Sequence, residues 1–530
     1  MAPGSKQAGE RGRPAYFVGP WDLNRDLACL PATPGDGTVV LVESRAKGSA
    51  LPYHRQKLVL VLSALHHFAD ELAAAGHEVE IINAETYVEG LRVHVREHRS
   101  EKIVALAPRE WGLYRSLAAA DRSGELGAPL ELHDDGGQGG HFLLTRDEFA
   151  DWADGRKALR MHEFYAFMRK RSGWLMERGK PLGGRWSFDT KNRKFPRDEP
   201  VPDVPRHRPD ALTRAQIERV AAWPGHWGDL SAETFGWPVT RRQALAELRD
   251  FFAHRADGFG PYQDAMLTDA PWLWHLRLSA ALNLSLLHPQ EVCERIVAEQ
   301  AAGRMPLASA EGLLRQVLGW REFMRGIYWL KMPELRARNR LGAERALPAF
   351  FWDPSLTDMH CMQQCVGQVR ATGYAHHIQR LMVLGNFALL AGIEPIEISH
   401  WFWAAFVDAY EWVELPNVHG MAVFADDSFT TKPYAASASY INKMSDYCAG
   451  CRYDPKRRTG DSACPFNALY WAFMHRHRGV LEDNPRLGVL YRTWDRWDDA
   501  QRTAILDQAE AFLGAMPAAE HEWTFSDDRG

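Results

Sequence analysis

The chain of 530 residues is 46% hydrophobic and 25% charged, proportions that are ordinary for soluble globular proteins. Its length exceeds what one hydrophobic core supports and predicts two or three domains. The formal net charge of −5 excludes a global field that attracts nucleic acid, so DNA binding would require a local basic patch.

From Tyr16 onward, short apolar segments alternate with amphipathic helices. This alternation predicts an α/β domain at 15–140 built on a doubly wound parallel sheet, preceded by a disordered segment at 1–14. Ligands bind such sheets at the carboxyl ends of the strands. We predict strands at 16–19, 39–44, 79–82 and 102–108, helices at 57–77 and near 95–99, and ligand-facing ends at 19–22, 43 and 108–111.

An interdomain linker is predicted at 141–212, where periodicity is weak and charge and proline are frequent. The stretch 183–194 mixes four cations with Trp186 and Phe188. A solvated loop is the ordinary interpretation of such a stretch. The functional alternative is a loop that contacts a phosphate backbone through its cations and aromatic rings.

The region 213–518 carries apolar residues at helical spacing and predicts a large all-α domain, followed by a tail at 519–530. We predict helices at 241–255, 271–287, 309–331, 376–392 and 395–412. No run of about 18 apolar residues occurs and the N-terminus has no apolar signal core, so we expect no membrane span and a cytoplasmic location.

Three of the seven cysteines, Cys448, Cys451 and Cys464, lie within one short stretch. Two thiols three residues apart can bind one metal, and a third after a loop extends the site. Cys361 and Cys365 are the candidates for a fourth ligand. Spacing leaves iron–sulfur and zinc equally open, and the reducing compartment disfavours disulfides.

Three long segments, 311–329, 374–395 and 409–417, make the chain resemble the iron–sulfur bacterial cryptochromes and photolyases. This deoxyribodipyrimidine-photolyase-related group includes the prokaryotic (6-4) photolyases. The resemblance implies an N-terminal antenna domain, a helical domain that binds FAD, and a 4Fe-4S cluster. It also implies Cys361 over Cys365, because one family cysteine precedes the His-His helix. The implied cluster ligands are Cys361, Cys448, Cys451 and Cys464.

The resemblance also implies which residues contact the flavin. It pairs Arg380 with Asp408 across the isoalloxazine ring and places Glu414 opposite flavin N5, where many photolyases have asparagine. A fixed cation and carboxylate at these positions can tune the reduced flavin. The implied flavin-binding residues are Tyr262, Gln263, Ser279, Trp320, Arg321, Arg380, Asn386, Asp408 and Glu414.

A lesion pocket is implied by His376 and His377, which match the histidine pair of (6-4) photolyases. Repair of that lesion needs a proton, and histidine supplies one near neutral pH, so His377 is the expected donor. Tyr434 and Tyr440 match tyrosines that can stack on a flipped base. The implied partner is therefore UV-damaged DNA.

For electron supply, Trp401 matches the family tryptophan that reduces FAD, and Trp352 is a plausible outer member. The usual GxWQW segment is replaced by GMAVF at 420–424, so the common photolyase route is absent. For the antenna, Glu43 matches a residue that binds 6,7-dimethyl-8-ribityllumazine. Asp22 is only a substitute, because the usual short turn is replaced by GPWDLNR at 19–25.

These inferences predict a monomeric enzyme that repairs (6-4) photoproducts by light-driven electron transfer from reduced FAD. The alternative is a cryptochrome-like blue-light sensor that uses the same chromophores. Repair of cyclobutane dimers is a third option that the sequence leaves open.

Overall fold

The computed structural model describes residues 12–519, and a five-stranded parallel sheet forms its N-terminal part. The strand order β3-β2-β1-β4-β5 confirms the predicted doubly wound α/β sheet. Most of the segment predicted to be disordered and of the predicted tail lies outside the described residues. The strands are β1 (Ala15–Val18), β2 (Thr38–Ser44), β3 (Glu78–Ala84), β4 (Ile103–Leu106), β5 (Leu130–His133), β6 (Met176–Glu177) and β7 (Lys180–Pro181).

Helices dominate the chain after the sheet, as predicted. The α-helices are α1 (Arg45–Gly48), α2 (Arg55–Ala74), α3 (Tyr87–His98), α4 (Trp111–Ser123), α5 (Arg146–Ala153), α6 (Met161–Ser172), α7 (Ala211–Ala221), α8 (Arg241–His254), α9 (Ala256–Tyr262), α10 (Ser279–Asn283), α11 (Pro289–Ala301), α12 (Leu307–Leu314), α13 (Glu322–Lys331), α14 (His360–Thr372), α15 (Asn386–Ala391), α16 (Pro395–Ala405), α17 (Glu411–Pro416), α18 (Ala438–Met444), α19 (Pro465–Arg476), α20 (Arg478–Leu481), α21 (Gly488–Asp495) and α22 (Asp499–Gly514).

Shorter helical turns connect several of these helices. The π-helical segments are Arg315–Arg321, Gln379–Gly385 and Asn417–Ala422. The 3-10 segments are Leu182–Gly184, Asp189–Lys191, Glu334–Ala337, Ala349–Phe351, Pro354–Leu356 and Tyr447–Gly450. Among residues 12–519, no helix has the length and apolar character needed to cross a membrane.

The predicted linker contains two helices, α5 and α6, that pack on the helical domain rather than remaining irregular. Phe149 of α5 lies so close to Gly326 of α13 that a Cβ there would stand 2.1 Å from the phenylalanine ring. A glycine is therefore required at this crossing. Weak periodicity hid these helices because their aromatic residues are buried by neighbours distant in the sequence.

The predicted helix 271–287 is largely wrong, since only Ser279–Asn283 is helical. Leu273 has a φ of +46°, which a helix does not allow, and the preceding residues form turns. The predicted helix 395–412 is also interrupted, between α16 and α17. This break places Asp408 in a loop.

The break after α16 is stabilised from the N-terminal domain. Lys57 of α2 donates from Nζ to the carbonyl oxygens of Trp403 (2.7 Å) and Ala409 (2.6 Å). The backbone N–H of His54 donates to the Ala404 carbonyl at 2.8 Å. Carbonyls freed at a helix end must find donors when buried, and α2 supplies them. The two domains therefore meet directly behind Asp408.

Candidate active site

A buried charged cluster forms where the π-helical segment Gln379–Gly385 faces the loop after α16. Arg380 Nη2 donates to both carboxylate oxygens of Asp408, at 2.9 and 3.1 Å. Ser279, at the start of α10, donates from Oγ to Asp408 Oδ2 at 2.6 Å. Glu414 Oε1 lies 3.6 Å from Arg380 Nη1. The structure thus brings together four of the predicted flavin-binding residues.

The Arg380 guanidinium lies between the carboxyl groups of Asp408 and Glu414. Burial raises the pKa of Glu414 to about 7, which Arg380 opposes and Asp408 reinforces. Burial would lower the pKa of Arg380, but Asp408 and Glu414 together hold it above its ordinary value. Arg380 therefore stays ionised, and Glu414 is the carboxyl group that can hold or release a proton near neutral pH.

A wall of histidines borders this cluster. The ring of His376 stacks on His275, with centroids 4.3 Å apart and planes 12° apart. His275 Nε2 donates to the Gln263 carbonyl at 2.9 Å, which fixes the stack. Both ring nitrogens of His376 are buried without a partner. Burial, with neighbouring His275 and His377, holds the pKa of His376 well below its usual range.

His377 differs from its neighbour because its ring reaches solvent. The surrounding protein nevertheless lowers its pKa to about 4, with a further contribution from the Arg380 cation. An accessible imidazole beside a buried, neutral histidine stack is free to contact a ligand. Its proton affinity would rise when an anionic group approaches.

The predicted tyrosines stand opposite an arginine of the 183–194 loop. Burial raises the pKa of Tyr440; among charged neighbours, Asp264 raises it further and Arg193 lowers it. Arg193 Nε lies 3.9 Å from Asp264 Oδ2. Burial likewise raises the pKa of Tyr434, and the positive charge of Arg193 opposes this rise. A basic residue of the loop thus lies near both tyrosines, and its contact with a phosphate backbone stays a prediction.

Asn386, predicted to bind flavin, fastens the segment between the two tyrosines. Its Nδ2 donates to the Ala436 carbonyl and its Oδ1 accepts from the Ala436 N–H, both at 2.9 Å. This double hydrogen bond fixes the chain ahead of α18. In the structure, Asn386 therefore positions the tyrosine segment, and its contact with flavin stays a prediction.

The four predicted cluster cysteines line one cavity. Cys361, Cys448, Cys451 and Cys464 face it together with Met359 and Tyr447. Burial raises the pKa of Cys448 to about 11 and of Cys464 to about 12, and the neighbouring thiols raise each further. Crowded thiols with raised pKa values favour a bound cation that stabilises them as thiolates.

Cys365 does not line this cavity. Its thiol faces the Tyr447 hydroxyl instead. His360 holds the first cysteine segment against the second, since its Nδ1 donates to the Tyr447 carbonyl at 2.9 Å. The geometry therefore separates Cys361 from Cys365, which spacing alone could not do.

Comparison with known proteins now identifies the family. Residues 17–235 match the model of the deoxyribodipyrimidine photo-lyase-related proteins. A (6-4) photolyase of Agrobacterium fabrum is 42% identical over 485 residues, which cover 90% of this chain and 94% of that protein. The chain belongs to the deoxyribodipyrimidine photolyase-related family.

Solved structures show the same architecture for this photolyase-related protein. A bacterial class III photolyase from Agrobacterium tumefaciens matches with a TM-score of 0.52 and 14% identity, covering 99% of this chain and 98% of that one. A Synechocystis cryptochrome matches with a TM-score of 0.53 and 11% identity, covering 92% and 91%. These likenesses confirm the photolyase/cryptochrome fold.

The other predicted flavin residues of this photolyase-related protein lie in varied surroundings. Tyr262 donates its hydroxyl to Glu199 at 2.5 Å and packs on Trp274. Trp320 is half-buried in the π-helical segment Arg315–Arg321. Arg321 is buried over the rings of Phe142 and Trp412, and none of its three side-chain nitrogens makes a hydrogen bond. Burial lowers the Arg321 pKa to about 9. Their flavin contacts stay predictions.

The predicted electron-transfer tryptophans are adjacent, with ring centroids of Trp401 and Trp352 6.4 Å apart. Phe406 links Trp401 to the charged cluster: its ring lies 5.7 Å from Trp401 and 3.9 Å from the Arg380 guanidinium. Trp227, which sequence reasoning missed, lies 5.4 Å from Trp352. The aromatic series thus runs from the cluster toward half-buried Trp227.

A cavity of about 100 Å³ lies at the carboxyl ends of β1 and β2, where we predicted an antenna. Glu43 faces it and bonds to His66 (2.7 Å) and Arg219 (2.6 Å). Burial would raise the Glu43 pKa, but these bonds lower it to about 2. Asp22 does not line the cavity; its carboxylate bonds to buried Arg109 at 2.7 Å. Nothing in its geometry therefore supports an antenna role for Asp22.

Besides Trp227, two residues of the site escaped sequence reasoning: His275 and Lys57. His275 lies four positions before Ser279, which the family resemblance implied as a flavin-binding residue, so the neighbouring residue was a usable signal. Lys57 lies in a predicted amphipathic helix, where a lysine ordinarily faces water. Only the structure shows that it is buried against the loop of Asp408.

The raised pKa of Glu414 predicts a pH-dependent stability. An unfolded glutamate loses its proton near 4.5, whereas folded Glu414 keeps it to about 7. The contribution of Glu414 to the stability of the flavin-free chain should therefore be lost as pH rises through this window, by about 3 kcal/mol. Buried histidines with lowered pKa values, such as His376 and His419, act in the opposite direction. The difference in unfolding free energy between the wild type and Glu414→Gln isolates the Glu414 contribution, and urea unfolding at both ends of the window measures it. A difference that does not change with pH would contradict the assignment.

Proposed function

We propose that this chain repairs (6-4) photoproducts in UV-damaged DNA in blue light. The observation that carries the proposal is the exposed His377, held beside the His275–His376 stack and the Arg380–Asp408 pair. The 42% identity to a (6-4) photolyase over nearly the whole chain supports the same reaction.

Membership of the family implies FAD, and the donor set of the charged cluster fits it. FAD, when bound and reduced, supplies the light-driven electron. Arg380 and Asp408 would hold the isoalloxazine edge, while Ser279 fixes the Asp408 carboxylate. Glu414 would hold or release a proton at flavin N5. The ring nitrogens of His376, which make no hydrogen bond, would be available to a bound ligand.

On the DNA side, His377 would donate its proton to the flipped lesion from its accessible ring nitrogen. Tyr434 and Tyr440 would stack on the displaced bases, and Arg193 would neutralise a backbone phosphate. The net charge of −5 makes this local basic residue more important, since no global field attracts DNA.

For the cysteines we infer a 4Fe-4S cluster rather than zinc. Thiolates on one tetrahedral Zn²⁺ at about 2.3 Å stand about 3.8 Å apart. Within residues 12–519, no three cysteine sulfurs lie within 4.8 Å of one another. The wider arrangement of Cys361, Cys448, Cys451 and Cys464 suits a polynuclear cluster, which would join α14 to α19.

The cavity at Glu43 suits an antenna such as 6,7-dimethyl-8-ribityllumazine. Aromatic rings of Trp21, Tyr53 and Trp403 line it, and Lys57 adds a buried cation whose pKa burial lowers to about 7. Planar heterocycles bind in such mixed aromatic and charged cavities. The absorption spectrum of the purified protein tests for lumazine, flavin and cluster together.

The decisive experiment is a repair assay on oligonucleotides that carry a single (6-4) photoproduct, with cyclobutane-dimer oligonucleotides in parallel. We expect restoration of the (6-4) pair under blue light and none in the dark. Repair of the cyclobutane dimer alone would show that the cyclobutane dimer, and not the (6-4) photoproduct, is the substrate. Normal flavin photoreduction without repair of either lesion would favour the light-sensor alternative.

A further inference from the structure

We propose that Glu80, His94 and His98 form a binding site for a divalent transition metal such as Zn²⁺ at the edge of the α/β sheet. Glu80 lies on edge strand β3, and both histidines lie on α3, which packs against it. The histidines are four positions apart in the sequence, so their side chains leave the same face of the helix. One ligand atom from each residue lies within 4.8 Å of the other two.

The three side chains converge on one point. His94 Nδ1 lies 2.5 Å and His98 Nε2 lies 3.4 Å from the same carboxylate oxygen of Glu80. The two rings stack with centroids 4.4 Å apart and planes 20° apart. Donor atoms on a tetrahedral Zn²⁺ stand about 3.3 Å apart, given bonds of about 2.0–2.1 Å. The two distances from the histidine nitrogens to the Glu80 oxygen therefore differ from this value by less than about 1 Å.

A metal ion would bind all three side chains at once. Without it, the two stacked imidazoles face the same carboxylate oxygen, and His94 alone makes a hydrogen bond to it. With it, each imidazole offers a lone pair and Glu80 keeps its charge. His94 is only 1% exposed, and Nδ1 is the nitrogen that it directs at Glu80 and would offer to the ion.

Access and charge also suit a cation. The side chain of His98 is 44% exposed and that of Glu80 32%, so an ion can enter from solvent and water can complete its coordination. Glu78, two residues before Glu80 on β3, adds negative charge that reaches His94. The bound ion would clamp the C-terminal end of α3 onto the edge strand, far in sequence from the predicted cluster cysteines.

The test uses the holoprotein with its cysteines occupied, washed with chelator and titrated with Zn²⁺ against a chromogenic competitor. We expect one equivalent to bind and to raise the melting temperature. His98→Ala should weaken binding by at least about tenfold and abolish the thermal shift. His98 is the variant of choice because it is exposed and its loss spares the fold.

His133→Ala provides the matched control, since His133 pairs with Glu131 at 3.2 Å on the opposite edge strand, β5. It should bind Zn²⁺ like the wild type. No saturable Zn²⁺ binding by the wild-type holoprotein would overturn the proposal. So would undiminished binding in His98→Ala, which would place the zinc on residual thiols.

Discussion

Replacing His377 with alanine should leave flavin bound and abolish repair of the (6-4) photoproduct. A positioned general acid contributes about 10²–10⁴-fold to a rate, so repair should fall by at least about 100-fold. Flavin binding should persist because the exposed ring of His377 holds none of the contacts of the Arg380–Asp408 pair. Chromatography of the irradiated oligonucleotide measures repair, and the flavin absorption bands measure cofactor retention.

The pH dependence gives this prediction a second readout. Because the pKa of His377 is lowered to about 4 in the unliganded chain, its protonated form is scarce at neutrality. Phosphates of bound DNA would raise that pKa, so the protonated form should be present at low pH and lost as pH rises through it. Wild-type repair should therefore decline with increasing pH.

Residual repair in His377→Ala should show no such decline. His162→Ala, which removes an exposed histidine on α6, provides the control and should repair at the wild-type rate. Undiminished repair in His377→Ala would transfer the proton-donor role to another group, with water or the buried His376 as the remaining neighbours.

Strands β1, β2 and β4 were predictable because they are buried and form continuous apolar runs. Edge strand β3 is half exposed but still contains the apolar run that predicted 79–82. The other edge strand, β5, has the alternating sequence LELH, is half exposed and lacks that signal. The interruption after α16 could not be predicted locally, since the segment is apolar at helical spacing throughout. Lys57, 346 residues before Trp403, stabilises the break by donating a hydrogen bond to the Trp403 carbonyl oxygen.

In the candidate site, too, residues within local motifs were predictable and partners from distant parts of the chain were not. Motif resemblance pointed to His377, Arg380 and Asp408, because these residues lie in segments with a recognisable local sequence. Contacts between residues far apart in the sequence could not be predicted from local motifs. The His275 ring stacks on His376, and the chain before His275 forms a turn in which Leu273 has a positive φ. The monomeric state and the cytoplasmic location stay predictions, since the fold leaves both open.

The cysteines give the second large effect. Cys361→Ser should purify without the broad absorption near about 400 nm and without stoichiometric iron, because it removes one of the four thiols that line the cavity. The cluster would tie the start of α14 to the segment Tyr447–Gly450 and to α19. Its loss should lower the melting temperature by about 10 °C or more.

Cys365→Ser is the matched control, four residues along the same helix. Its thiol faces the Tyr447 hydroxyl outside the cavity, and a serine hydroxyl can occupy that place. This variant should retain iron, absorption and thermal stability close to those of the wild type. Loss of iron in Cys365→Ser with retention in Cys361→Ser would reverse the ligand assignment, and zinc in place of iron would restore the mononuclear alternative. Because the two cysteines share helix, burial and chemistry, the comparison isolates one variable, which is whether the sulfur faces the cavity.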